Sequence, residues 1–371
     1  MSSKHHVMTY GFAHVVINAS DTTPILNGLA PQNLDLGLLL VAAATGKDST
    51  SRAQMLSILD DKCPDASLES MLVEASRRGA ADEDVVIKST LGLFFKGTPK
   101  PDFQANVPGV TLMPMPESAD AVNEWAAQET DGMVTSIVKT IDDNVVAILS
   151  ALKALKATWR YPFDASKTAE GSFKASNGAI PCQMMHHVFG AGLPGIKVAN
   201  NDAYLGISLP YGNTGSFSGL FFLPKVDETA MGAKALAQMI VLDGVGQETS
   251  VTPDEFHQGM YKITASIPKF KVSASTNLIP ALNEAGVNDI FSLTSADFST
   301  LTDDQISVTA FTHDVVIEVD EAGTKAGAAT TAVLSRCIPQ NIDFVADRPF
   351  VFAVYDNITN DIIFATTVET V

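Results

Sequence analysis

A chain of 371 residues, 46% of them hydrophobic, carries enough apolar material for a large buried core, as one big domain or two ordinary ones. Its 24 Lys and Arg against 42 Asp and Glu leave a net charge of −18, which repels phosphate backbones and argues against a nucleic-acid partner. The longest apolar run, Leu36 to Ala44, is far short of the roughly 18 residues that span a bilayer, so no membrane segment is expected. The cysteines Cys63, Cys182 and Cys337 have no paired spacing and argue against a disulfide framework.

The opening MSSKHHVMTYG lacks the apolar stretch of a secretory signal, which leaves the compartment open. A short amphipathic piece, FAHVVINA, and a turn-rich patch, DTTPILNGLAPQN, lead to Leu36–Ala44 and then KDSTSRAQMLSILDD. These read as helix, turn, helix, with Ser49 or Thr50 as N-cap. Residues 84–97, DVVIKSTLGLFFKG, read as a strand. In ADAVNEWAAQETDG a helix starts at Ser118 or Asp120, puts Val122, Trp125 and Ala126 on one face and stops at Gly132. The leucine spacing and Ala/Lys content of SALKALKATW fit a helix on local grounds.

Two stretches imitate catalytic or metal sites. Gly215-Ser216-Phe217-Ser218-Gly219 has the spacing of a hydrolase nucleophile elbow, but that turn needs a strand before it and a helix after it. Residues 205–225 read instead as two apolar runs about a Gly/Asn turn, a hairpin in which LFFLP follows the serine. Cys182, His186 and His187 have zinc-like spacing but lack a fourth ligand and a companion motif, which argues against a metal site. Asn357-Ile358-Thr359 is a formal glycosylation sequon, expected to be a hairpin turn between two apolar strands.

The most distinctive stretch runs from His313 to Pro339. Val315, Ile317 and Val319 alternate against Asp314, Glu318 and Asp320, the pattern of a half-buried strand ending near Glu321. The residues that follow, GTKAGAATTA, have almost no side-chain bulk and no helix-capping pattern, and read as an exposed loop. With a strand's alternation, Thr324, Ala326, Ala328, Thr330, Ala332 and Leu334 share one face, and that face carries no charge.

EAGTKAGAATTAV resembles the hinge of the serpin reactive-centre loop, where small residues let the loop enter a sheet as an extra strand. Other matches follow in the family's order. They are Asn123-Glu124-Trp125 with Thr130-Asp131-Gly132; Trp159, Pro162 and Phe163 after the central strand; Pro181 with Met184 and Met185; Pro268-Lys269-Phe270, Gly286 and Ala296-Asp297-Phe298-Ser299; and the closing strand pair from Phe344. The resemblance is strong over about residues 84–371 and weak before that. The family's Asn, Ser-Pro and Ser near the start are replaced by Asn33-Leu34-Asp35-Leu36-Gly37, and its polar-cluster Asn by Ala151.

The resemblance implies a mixed α+β serpin fold: three β-sheets, eight to nine surrounding helices and an exposed reactive-centre loop, 321–343, within a single domain, 1–371. It makes SALKALKATW part of the long central strand. It implies a monomeric suicide-substrate inhibitor of serine proteases, with no enzymatic activity, cofactor or metal; a non-inhibitory binding or carrier serpin is the alternative. Glu321, Gly323, Thr324, Ala326, Ala328 and Thr330 become the hinge. Trp159, Lys269 and His313 become its support, with Lys269 paired to Glu321 and His313 bonded to a backbone group or a substitute such as Ser150. Counting the family's usual loop length from Glu321 reaches Cys337, so the reactive bond is Cys337–Ile338 and the targets are elastase-, chymotrypsin- or subtilisin-like. A register one residue shorter cuts Arg336–Cys337 and makes the target trypsin-like.

Overall fold

The computed structural model describes residues 28–58, 84–107, 109–226, 229–242, 255–322 and 338–371. In chain order the first half holds α1 Pro31–Ala44, α2 Thr50–Ile58, β1 Val85–Phe95, α3 Pro101–Asn106, β2 Val110–Pro114, α4 Ala119–Glu129, β3 Ala147–Ala157, β4 Ala169–Ala175 and β5 Gly178–Phe189. The second holds β6 Lys197–Asn200, β7 Tyr204–Tyr211, β8 Phe217–Pro224, α5 Ala230–Leu242, β9 His257–Gln258, β10 Tyr261–Pro268, β11 Phe270–Asn277, α6 Ile279–Glu284, β12 Ala310–Val319, β13 Gln340–Val345, β14 Phe350–Asp356 and β15 Asp361–Val368. The described residues thus hold six α-helices where eight to nine were expected for the whole chain.

Three sheets form, in the orders β11-β12-β3-β1-β2, β13-β10-β5-β4 and β15-β14-β8-β7-β6-β9. In the five-stranded main sheet β3 pairs antiparallel with β1 over its full length and parallel with β12 from Ala310↔Ile148 to Ile317↔Leu155. Those two ladders overrule the local helix signal of SALKALKATW: the segment gains hydrogen bonds on both sides and is buried on both faces, and propensity is the weaker term. Leu149, Phe311 and Val315 face inward. Ile148, Leu152 and Val316 face outward beneath Val122, Trp125 and Ala126 of α4. The sequence motif around α4 has a packing cause: Asn123 Oδ1 accepts from the Ile137 and Val138 N–H groups, and the Thr130 hydroxyl accepts from Val134 N–H. Ser118 occupies the N-cap position without a side-chain cap bond.

Helix α1 is buried almost throughout, Asn33 and Asp35 of its first turns included, as expected of a helix surrounded by protein. Ser49 caps α2 by accepting from Arg52 N–H at 3.1 Å, and the Arg52 guanidinium turns back to the Ala42 and Thr45 carbonyls that end α1. Pro268-Lys269-Phe270 is not one strand, because β10 ends at Pro268 in the four-stranded sheet and β11 starts at Phe270 in the main sheet, leaving Lys269 at the crossing. β7–β8 and β14–β15 are hairpins, the second turning through Asn360 in the left-handed region at φ 61°.

Candidate functional site

The candidate site is the seam between β3 and β12 together with the chain that leaves it. Residues 320–322 are tied down by several neighbours at once. Trp159 donates its indole N–H to Asp320 O at 3.0 Å and its backbone N–H to Ala322 O at 3.2 Å; Phe163 N–H reaches Glu321 O at 2.8 Å. The Thr168 hydroxyl donates to Glu321 Oε1 at 2.7 Å, and Lys269 Nζ lies 2.9 Å from Glu321 Oε2. The crossing between sheets is what points Lys269 at the end of β12. Trp159 is buried, stacks on Tyr211 at 4.1 Å and lies over Gly219, where a Cβ would sit 2.7 Å from the indole.

Burial raises the Glu321 carboxyl, but the Thr168 hydroxyl and the Lys269 ammonium outweigh it and hold the group below its ordinary 4.5. A lowered carboxylate contributes stability above its unfolded value and loses it as pH falls through the folded one. Acidification below 4.5 is therefore expected to loosen residues 320–322. Limited proteolysis across a pH series checks this, and unchanged cleavage would count against the pair. Because Lys269 is 42% exposed, Lys269→Met is expected to cost no more than about 1 kcal/mol.

Lower in the seam, His313 is buried and its Nε2 accepts from the Ala30 backbone N–H at 3.0 Å. That bond fixes the tautomer with the proton on Nδ1, which has no partner among the described residues. Burial first, then the Lys153 charge, lowers the imidazole to about 3, so it stays neutral. Ser150 is not the substitute partner. It lies on the opposite face of β3 from His313 and donates instead to Asp314 Oδ2 at 3.2 Å.

Gly323, Thr324, Ala326, Ala328, Thr330, Arg336 and Cys337 lie outside the described residues; Ile338, beyond them, is 95% exposed. The two imitated sites resolve into packing. Ser218 is buried in β8 and accepts from Asn357 Nδ2 at 2.9 Å; no histidine or carboxylate bonds it among the described residues. The motif's last glycine gives room to Trp159, and Asn357 is spent on the Gly215 carbonyl and Ser218. On β5, Cys182 is a buried free thiol, His186 Nδ1 meets Ser266 Oγ at 2.9 Å, and His187 packs on Phe163 and Phe189.

A family model described as Serpin (serine protease inhibitor) matches residues 34–370. The chain belongs to the serpin family. Among serpins it is 26% identical to Serpin-Z7 of Hordeum vulgare over 390 residues, covering 97% of this chain and 94% of the relative. It is 30% identical to glia-derived nexin of Mus musculus over 272 residues, 71% and 65% of the two chains. Of solved serpins, the thermophilic serpin Tengpin in its native state superposes with a TM-score of 0.81 at 23% identity, over 100% of this chain and 95% of that one. A thyroxine-binding globulin complex with thyroxine superposes at 0.77 with 19% identity, over 98% of each chain. These likenesses establish the serpin fold, and the sheet order above is its form in this chain.

Reading the sequence missed the polar groups under the seam: Gln32, Lys153, Asp361 and the Ala30 N–H. One signal was present. Lys153 has the inward phase of Leu149, Ala151 and Leu155, whereas Lys156 has the outward phase and is exposed.

Proposed function

We propose that this serpin inhibits serine proteases as a suicide substrate, by cleavage of the loop 321–343 and its entry into the β3–β12 seam. One observation carries the reading: the seam is closed by a single parallel ladder, and the chain leaves the open end of β12 with its first three residues anchored beside the end of β3. A strand that doubles back from there runs antiparallel to β12, and therefore to β3 as well. Insertion exchanges one parallel ladder for two antiparallel ones, the more stable kind, and adds a full set of backbone hydrogen bonds. Insertion places an uncharged stripe, Thr324, Ala326, Ala328, Thr330, Ala332 and Leu334, on the inner face. The uncleaved form is thus protected by a barrier and not by its depth.

In the trapping step the protease serine attacks the carbonyl carbon of Cys337. The Cys337–Ile338 bond breaks, the amine of Ile338 leaves with a proton, and Cys337 remains esterified to the enzyme. Loop entry then carries the acyl-enzyme away before water reaches it. A small uncharged Cys337 suits elastase-, chymotrypsin- or subtilisin-like pockets, and cleavage after Arg336 suits trypsin-like ones.

Incubation with a panel of such proteases is expected to give an SDS-stable complex, and mass spectrometry a released fragment beginning at Ile338. A fragment beginning at Cys337, with trypsin alone inhibited, overturns the assigned bond. Cleavage without complex by every protease favours the second reading, a binding or carrier serpin. The likeness to thyroxine-binding globulin motivates that reading, and the uncharged hinge stripe weighs against it.

A further inference from the structure

The inner face of β3 carries one side chain that its surroundings do not suit. Lys153 is 4% exposed, sits beside Val315 across the seam, and is one inward pair above Ala151 and His313. Its ammonium donates to Gln32 Oε1 at a long 3.4 Å. Gln32 donates in turn to Asp361 Oδ2 at 3.4 Å, so the carboxylate that attracts the ammonium reaches it through an amide.

The ionisable groups on the elements packed against it are few. Helix α1 brings Asp35, whose carboxyl burial pushes well above its ordinary value. Strand β12 brings neutral His313, and β15 brings Asp361. Lys88 of β1, Lys156 of β3 and Asp314 and Glu318 of β12 have the outward phase.

We propose that the buried ammonium of Lys153 is a spring set in the closed seam, raising the free energy of the uninserted sheet and relieved when β3 and β12 part and admit water. The inference rests on the insertion mechanism proposed above. Burial outweighs the attraction of Asp361 and lowers the amine to about 8. The opening state, being wetter, holds the proton more tightly than the closed one. Opening therefore takes up protons, and it slows as pH rises through about 8 and the closed form sheds its charge.

The test reads sheet opening without a protease, as the rate at which a synthetic peptide of residues 323–334 anneals into the purified protein on native gels. For the parent protein the rate is expected to fall roughly tenfold between about pH 7 and about pH 10, the factor for an opening state that recovers about one decade of the proton affinity lost between the ordinary 10.5 and about 8. Lys153→Met is expected to be slow and flat across that range, and Lys153→Arg, charged throughout, to stay fast. A flat parent profile overturns the proposal, and so does a Lys153→Met protein that anneals as fast as the parent at pH 7. Should a variant not fold, the parent profile decides alone. A peptide that anneals to none of the proteins at any pH removes the insertion mechanism itself, a result distinct from annealing that ignores Lys153.

Discussion

On the proposed mechanism, Thr324→Arg is expected to turn an inhibitor into a substrate: folded, cleaved at the same bond, and giving no SDS-stable complex. In the proposed insertion Thr324 would be the first residue of the loop's inward stripe, carried into the apolar inner face that Val315, Ile317 and Val319 line at the top of the seam. Those three side chains offer a guanidinium no carboxylate, and burying an unpaired charge costs several kcal/mol. Trapping is a race between insertion and hydrolysis of the acyl-enzyme, and each 1.4 kcal/mol added to the insertion barrier slows it about tenfold. A penalty of even about 3 kcal/mol would therefore move almost every turnover to release. Lys325→Gln, one residue on and in the alternate phase of the stripe, should leave the stoichiometry of inhibition near the parent value. If Thr324→Arg forms complex at the parent stoichiometry, the loop does not insert in this phase.

What could be read from the sequence followed from how local its cause was. The strand and hairpin patterns of β1, β7–β8, β12 and β14–β15 come from side-chain alternation and turn residues, and these are visible in a single window. So is the small-residue stripe. β3 could not be read that way, because its strand character comes from β1 and β12, more than 50 and 150 residues away, which supply ladders that Ala, Leu and Lys do not advertise. Pro268-Lys269-Phe270 was found as a motif but not as a change of sheet. Gln32, Lys153 and Asp361 beneath the seam were missed for the same reason as β3. With His313, which the resemblance supplied, they come from four separate elements, and only the fold shows that the four share one buried layer.

That buried layer explains how the chain does without the residues that the family places there. The resemblance puts side-chain partners for His313 at Ala151 and in the Asn33–Gly37 segment, and here the backbone N–H of Ala30 bonds it instead. Leu29, next to it, is bridged to Ala365 of β15 through both of its backbone groups, so the donor is held rigidly. A backbone N–H cannot be lost to a point substitution other than proline, whereas a side-chain donor can.

Trp159→Ala is expected to cost about 3–5 kcal/mol in the stability of the uninserted form, the range for truncating a large aromatic in a packed core. The indole fills the space between the Tyr211 ring and the bare backbone of Gly219, with the Phe221 ring beside it at 6.1 Å between centroids. Truncation also strips Asp320 O of its donor at the start of the loop, so the residues that lead into the loop lose an anchor as well as packing. Trp159→Phe separates the two contributions. It keeps a ring against Tyr211 and removes the N–H, and its cost should be about 1–2 kcal/mol, the share of one hydrogen bond. The measurement is the urea midpoint of the first unfolding transition, followed by tyrosine fluorescence and circular dichroism. The rate of spontaneous loss of protease inhibition is followed alongside. The alanine variant should show a large midpoint shift, whereas the phenylalanine variant should show a small one with a faster loss of inhibition, because the anchor acts on the loop and the stacking acts on the core. Equal midpoints for the parent and Trp159→Ala would mean that the stacked site contributes nothing to the closed form, and the assignment of Trp159 as support for the hinge would fall with it.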